Sequence, residues 1–428
     1  MMEHELSAYP DVMAKALVDR WQEAMYPPED LPSQKNIAAL LDTMYQASLL
    51  REEGNAVRCR IIVAPASDFA NELAVGDSQL HVLRFTEPCE FTPHELRKLA
   101  AAAGYYRALL AVDVSAEGAM SIWGMIVTGT TWINQLEDDR IRHSLLPERL
   151  VIQCLGPGHI IVAAGNARIL ESLSGKLLTD GFDPFRSNWL PQKFGSVRTS
   201  LLAELDELIP DSEKSNTRMC ESFVKDIAQS VVRRILRLVR NRGHGGMLVY
   251  LPEEKNDSPL LDQWFRFRVR FEQDDSINRF RRLMLSLMKR GREVGQARGL
   301  EVVTWYDYLQ MQDAELAELD KALIELGHFF TDLMNIDGSL VLDRSFRLIG
   351  FGGEILGDSH TATIHRALDL EAERSVIERA DSSGTRHRSA YRLVCGLQDA
   401  IAVVVSQDGE VRFVAHHNNK LTYWPYLP

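Results

Sequence analysis

The chain has 428 residues, too many for one ordinary core, so two or three domains are expected. With 45% hydrophobic and 25% charged residues it has the make-up of a soluble globular protein. Its net charge of -12 argues against a non-specific nucleic-acid binder but leaves room for a local basic pocket that holds a nucleotide.

Residues 1–50 carry helical apolar spacing, as at Ala39, Leu40, Met44 and Leu49. Strand patterns follow at 58–65 and 80–85. Thr92 is placed to cap a helix, with Pro93 at its first position and Glu95 where it can reach back to the cap; the Ala-rich helix they open extends to about Arg107. Strands are expected at 108–114, 121–127 and 150–155, then a Gly-Pro-Gly-His hairpin turn at 156–159, a strand at 160–164 and a helix at 167–178. Residues 1–195 thus read as one mixed α/β domain, in which Trp123 and Trp132 are core or interface aromatics rather than a ligand cage.

The stretch 182–194, rich in Pro and aromatics, has the composition of a connector. Helices are expected at 198–209 and 217–242, the second with Phe223, Ile227, Val231, Ile235 and Leu238 on one face. Arg233, Arg234, Arg237, Arg240 and Arg242 occupy its other faces, either as a solvated face paired with acids or as part of an anion site. Gly243-His244-Gly245-Gly246 ends that helix and leads into a strand at 247–251, where glycine also permits a close backbone approach. A one-face-exposed strand at 265–271 and helices at 277–292 and 313–334 complete the approach to the first chemical motif. Five scattered cysteines (Cys59, Cys89, Cys154, Cys220, Cys395) show no metal-ligand spacing and read as reduced, buried thiols. With no signal-peptide pattern and no apolar run near the ~20 residues of a membrane span, a cytoplasmic protein without a membrane anchor is expected.

Asp337-Gly338-Ser339 lies between the apolar pairs Leu333-Met334 and Leu340-Val341. Alone, Asp-Gly is ordinarily a turn; an acid at the mouth of a buried strand, however, needs a metal, a hydroxyl or backbone amides to satisfy it. Gly384-Thr385-Arg386-His387-Arg388 reads as a loop entering a helix, which would bring backbone N–H groups, a hydroxyl and two guanidiniums to a positive helix end. The plain alternative is a surface ion-pair patch. Val403-Val404-Val405-Ser406-Gln407-Asp408-Gly409 is a buried strand ending either in a site or in a simple hairpin turn.

In order and spacing, these three segments resemble the diadenylate cyclase domain of DisA-like and CdaA-like enzymes, which joins a "DGA" strand turn, a "GTRHR" loop and a valine-rich strand ending in Ser and acids. The resemblance covers roughly residues 215–416, with 240–251 similar to the family's opening helix and strand. It implies an α/β fold: a C-terminal mixed β-sheet flanked by helices at 215–428, a helical connector at 196–214 and an N-terminal α/β regulatory domain at 1–195. It further implies that two ATP molecules are condensed into cyclic di-AMP with release of two pyrophosphates, across two domains meeting face to face in a dimer or higher homo-oligomer. Asp337, Gly338, Arg386, His387 and Arg388 would be catalytic; Gly246, Ser339, Gly384, Thr385 and Ser406 would bind nucleotide; Asp337 and Asp408 would ligate Mg²⁺ or Mn²⁺.

Three departures stand out. Ser339 replaces the usual Ala, Gln407 replaces a more usual acid, and Ile336 stands where some members have a His metal ligand. The open alternatives are a nucleotide or cyclic-dinucleotide sensor on a degenerate cyclase domain, which Gln407 favours, a cyclase with another cyclic-dinucleotide product, and a scaffold whose N-terminal domain does the work. The hairpin at 150–164 and the junction at 243–246 also resemble the DACNV group of sensor domains, implying control by an unidentified input.

Overall fold

The computed structural model describes residues 9–23, 26–69, 80–105, 107–128, 146–147, 149–165, 167–173, 175–178, 183–208, 217–253, 259–272, 278–357, 362–407 and 409–426. Trp132 and Asp408 lie outside the described residues. The protein is mixed α/β and divides into two compact units, Met1–Thr179 and Asp180–Pro428.

In the first unit, α1 (Pro10–Glu23) and α2 (Gln34–Ser48) precede β1 (Cys59–Val63) and β2 (His81–Glu90). Then come α3 (Pro93–Ala103), β3 (Ala108–Val114), β4 (Met120–Val127), β5 (Leu150–Gly156), β6 (His159–Ala164), β7 (Ala167–Leu173) and β8 (Lys176–Leu178). The Thr92 hydroxyl accepts from Glu95 N at 3.3 Å and Pro93 opens α3, as the sequence predicts; Gly104 ends the helix a little before the expected Arg107. Helix α2 buries Ile37, Leu40, Leu41 and Met44, so its inward face includes Leu40 and Met44 but leaves Ala39 and Leu49 outside.

Among the described residues the strands form a sheet ordered β8-β7-β6-β5-β1-β3-β4-β2. Successive side chains of a strand point to opposite faces. Ile61, Leu110, Ile152 and Val162 accordingly meet the helices, while Ile62, Leu109, Ala111 and Val151 pack with Trp123 on the other side. Trp123 is a core residue whose indole N–H donates to the Ala64 carbonyl at 2.9 Å. Cys59 and Cys154 are buried and opposite one another on β1 and β5; the other three cysteines are only half-buried, contrary to expectation. The Cys154 contact and burial hold the Cys59 thiol well above its ordinary pKa.

The helix expected at 167–178 is instead the hairpin of β7 and β8, with Gly175 at φ 79° in its turn. Ile169, Leu170, Leu173 and Leu177 fit a helical period, but β6 offers an open edge to which β7 pairs along its length.

The second unit opens with a correction. Phe185, Trp189 and Leu190, in the presumed connector, belong to the main core, and Trp189 stacks on Trp424 at 4.3 Å. The presumed helical connector from 196 also joins that core through α4 (Gly195–Leu208), which buries Val197, Leu201 and Leu205. Next come α5 (Glu221–Arg242), β9 (Gly246–Leu251), β10 (Phe265–Arg266), β11 (Val269–Arg270), α6 (Arg279–Ala297) and α7 (Ala314–Met334). The remaining elements are β12 (Ser339–Asp343), β13 (Leu348–Ile355), β14 (Thr363–Ala367), β15 (Ser375–Arg379), α8 (Thr385–Gly396), β16 (Ile401–Val405), β17 (Val411–His417) and β18 (Lys420–Tyr426).

The sheet is ordered β10-β13-β12-β9-β16-β17-β18-β14-β15 among the described residues, with β11 also on β13. Leu248, Tyr250, Leu340, Val403 and Val405 face α4, α5, α6 and α7; Met247, Val249, Val341, Ala402 and Val404 face α8. Helix α5 keeps its predicted stripe at Phe223, Ile227, Val231 and Ile235, with Val239 buried in place of Leu238. Two of its arginines pair with acids, Arg233 with Asp183 at 2.8 Å and Arg242 with Asp332 at 2.6 Å, and Arg234 is 4% exposed.

Helices α6 and α7 are joined by Arg290, whose Nε and Nη2 donate to the two Asp313 oxygens at 3.0 and 2.6 Å while Asp313 caps α7. The guanidinium bond and the Leu316 N–H lower the Asp313 pKa from 3.8 to about 2. A depressed acid stabilises the fold above its unfolded pKa and ceases to do so as pH falls through the folded value. Asp313→Asn retains a capping oxygen but loses the charge. The stability difference between this variant and wild type is therefore expected to be full at neutral pH and to vanish between pH 4 and pH 2, as read by denaturant unfolding at several pH values.

Candidate functional site

Three backbone segments meet because of strand register. Strands β9 and β12 are parallel, with Met247 opposite Ser339, and β16 runs antiparallel to β9 with Gly246 opposite Val405. The beginnings of β9 and β12 and the end of β16 therefore share one end of the sheet. Asp337-Gly338, Gly245-Gly246 and Ser406-Gln407 lie there together.

The fourth segment is the start of α8. As the sequence predicts, this segment enters a helix; Gly384 proves to be the N-cap and the Thr-Arg-His-Arg string the first turn. The glycine cap supplies no side-chain acceptor, so among the described residues no capping carboxylate or hydroxyl offsets the positive end of the helix dipole. Arg386 Nη2 lies 3.8 Å from Asp337 Oδ1. A Cβ on Gly245 would stand 2.8 Å from the Val405 carbonyl, 3.0 Å from Arg386 Nη1 and 3.2 Å from Gln407 N, so this glycine (φ 72°) lets the segments close together.

Side-chain exposure sorts the candidate residues. Asp337 is 93% exposed, so the premise of a carboxylate buried at a strand mouth is corrected: it stands in solvent beside Arg386. Thr385 and Arg388 are exposed, Arg388 Nη2 reaching the Thr385 hydroxyl at 3.4 Å. His387 is 6% exposed and packs back toward Gly384. Ser339 is 1% exposed, and its hydroxyl donates to the Gly353 carbonyl at 2.8 Å, so it serves the irregular β12–β13 pairing and not an open ligand surface. The Ser406 hydroxyl closes the turn before β17 through Glu410 N and O, and Arg240 Nε braces the same turn at the Gly409 carbonyl at 2.8 Å. Among the described residues no three His, Cys, Asp or Glu side chains cluster as a metal site.

Sequence reasoning passed over Gly352-Gly353 and Arg412. The glycine pair lets β13 fold against the Asp337-Gly338 turn: a Cβ on Gly338 would lie 2.6 Å from Gly352 C. Arg412 sits in an apolar strand, which was its one signal. It binds Glu410 through two nitrogens at 2.8 and 3.0 Å, donates to the Tyr391 hydroxyl at 2.8 Å and to Ser383 at 3.3 Å, and lies 4.4 Å over the Tyr423 ring. Burial acts to lower its pKa, but the Glu410 carboxylate together with the Tyr423 and Tyr391 phenols outweighs this and the net shift is upward. Arg412 thereby fixes the loop that delivers Gly384. Arg412→Met is expected to cost about 2–3 kcal/mol in urea unfolding, because it strands the partners of a largely buried charge.

Among the described residues no helix is long and apolar enough to cross a membrane. The comparisons with known proteins touch the first unit alone. No curated protein and no solved structure matches the chain. The resemblance to a sensor domain, read from 150–164 and 243–246, rests instead on an earlier stretch. Residues 26–127, from before α2 to the end of β4, match the model of the family described as the probable sensor domain DACNV.

Proposed function

We propose that the chain is a cytoplasmic diadenylate cyclase whose N-terminal domain senses an input and whose second unit condenses two ATP into cyclic di-AMP and two pyrophosphates. The observation that carries this reading is the meeting of Asp337-Gly338, Gly245-Gly246, Arg386 and Ser406-Gln407 at one sheet end, beside the start of α8, whose glycine cap brings no side-chain acceptor. The match of residues 26–127 to a probable sensor domain supports the regulatory half.

The chemistry follows from charge. Each ribose 3'-oxygen forms a bond to the α-phosphorus of the other ATP as the bond to pyrophosphate breaks. Negative charge grows on the phosphate oxygens and on the leaving group. Arg386, Arg388 and the first-turn N–H groups of α8 would meet that charge, with the Thr385 hydroxyl beside them. Asp337, exposed and next to Arg386, would orient the 3'-hydroxyl and accept its proton. Its carboxylate would also give a divalent cation one hard oxygen ligand, the others coming from phosphate oxygens and water, and such an ion would supply further charge neutralisation when bound. One such site holds one ATP, so a second copy facing it would supply the other.

The test is incubation of the purified full chain with ATP and Mg²⁺ or Mn²⁺ across protein concentrations, followed by mass spectrometry. Cyclic di-AMP forming with a rate that rises faster than protein concentration is expected. Tight ATP binding with no cyclic dinucleotide under any condition would instead make the domain a nucleotide sensor.

A further inference from the structure

On the face of the second sheet opposite α8 lies a cavity of about 70 Å³ between the sheet and helices α4 and α5, several times the ~10–15 Å³ that one water needs. Phe185, Leu201, Val232, Phe346, Val403 and Phe413 give it an apolar wall. Two further features are independent of that wall. Tyr250 also lines it, is 3% exposed, and holds a buried hydroxyl without a hydrogen-bond partner among the described residues. Arg198, Lys225 and Arg344 contribute to the lining; Lys225 pairs with Asp226 at 3.7 Å, and among the described residues no Asp or Glu lines the cavity itself.

A buried hydroxyl is ordinarily satisfied, and burial keeps this one protonated, hence a donor. Phe194 and Phe346 hold its ring edge-on at 5.4 Å each, so the hydroxyl cannot swing out to solvent without unpacking both. Arg198 already donates to the Pro191 carbonyl at 2.8 Å, which fixes its position, and Arg344 donates to the Asp399 carbonyl.

We propose that this cavity binds a compact apolar carboxylate, its hydrocarbon body against the aromatic wall, its oxygens taking the Tyr250 hydroxyl as donor and the Arg198 guanidinium as counter-charge. A neutral hydrocarbon would leave the hydroxyl unpaired, and a cation would meet like charge. The site is separate from the end of the sheet that carries Asp337 and does not depend on the reading of that end.

The probes are benzoate and cyclohexanecarboxylate, with benzyl alcohol as the neutral counterpart, titrated calorimetrically into the full chain. Both carboxylates should bind, and benzyl alcohol should bind at least tenfold more weakly. Tyr250→Phe, which deletes a single oxygen, should weaken benzoate by about tenfold, and Ala228→Trp, which fills the cavity, should abolish binding. Arg386→Ala should leave benzoate affinity unchanged. The proposal is overturned if neither carboxylate binds, if benzyl alcohol binds as tightly, or if Tyr250→Phe binds benzoate like wild type; the last comparison decides even where Ala228→Trp does not fold.

Discussion

On the proposed cyclase reading, Arg386→Ala is expected to lower cyclic di-AMP formation by about 10²–10³-fold, the usual cost of removing a donor aimed at developing charge, while leaving thermal unfolding close to wild type. The separation of the two effects follows from the surroundings of Arg386. Its side chain is 30% exposed and lies 3.8 Å from an acid that is itself 93% exposed, so its removal strands no buried partner. Arg386→Lys keeps the charge but not the planar fork, and should recover little of the activity. Asp337→Asn tests the other half of the pair: its carboxylate contributes little to the fold from so exposed a position, and product formation should fall comparably. Product formation, measured by chromatography at saturating ATP, is to be set against the unfolding midpoint of each variant. Full activity in either alanine or asparagine variant would remove that residue from its role.

Much of this arrangement is legible in the sequence, for identifiable reasons. Thr92-Pro93 and Gly243 mark helix ends by chemistry that acts within a few residues, and the stripe along α5 is long enough to fix its period. The loop-to-helix transition at Gly384-Thr385 and the strands after Asp337 and before Ser406 are signalled in the same local way. The failures are non-local. Residues 167–178 satisfy both a helical and a strand pattern, and the open edge of β6 decides between them. The Pro-rich, aromatic stretch before α4 looks like a linker until Trp424 is found stacked on Trp189. The exposure of Asp337 depends on where the sheet ends, and the importance of Arg412 on which residues of three other segments surround it. What brings the motifs to one end is strand register, which no one motif contains.

Gly338→Ala should be the most damaging single-methyl change at this end of the sheet, and its effect on stability stands whatever the domain's reaction. Gly338 has φ 111°, a conformation that costs an L-residue on the order of 1–3 kcal/mol. A Cβ would also lie 2.6 Å from Gly352 C, 2.9 Å from Gly352 Cα and 2.9 Å from Gly353 N, all backbone atoms that cannot rotate aside. Relief requires β13 to move away from the turn, against the Ser339 hydroxyl's bond to Gly353 at 2.8 Å. A loss of about 2–3 kcal/mol in denaturant unfolding is expected, or a fall of roughly 5–10 °C in Tm for a unit of this size. Asp337 is the preceding residue, so the same shift should displace its carboxylate, and displacements near 1 Å can cost on the order of 10²-fold in rate. Gly243→Ala is the matched control: at φ 67° it meets nothing within 4 Å, and only the smaller left-handed penalty of about 1 kcal/mol applies. If Gly338→Ala unfolds no more readily than Gly243→Ala, the turn is not held by the close approach of Gly352, and the positioning of Asp337 must come from elsewhere.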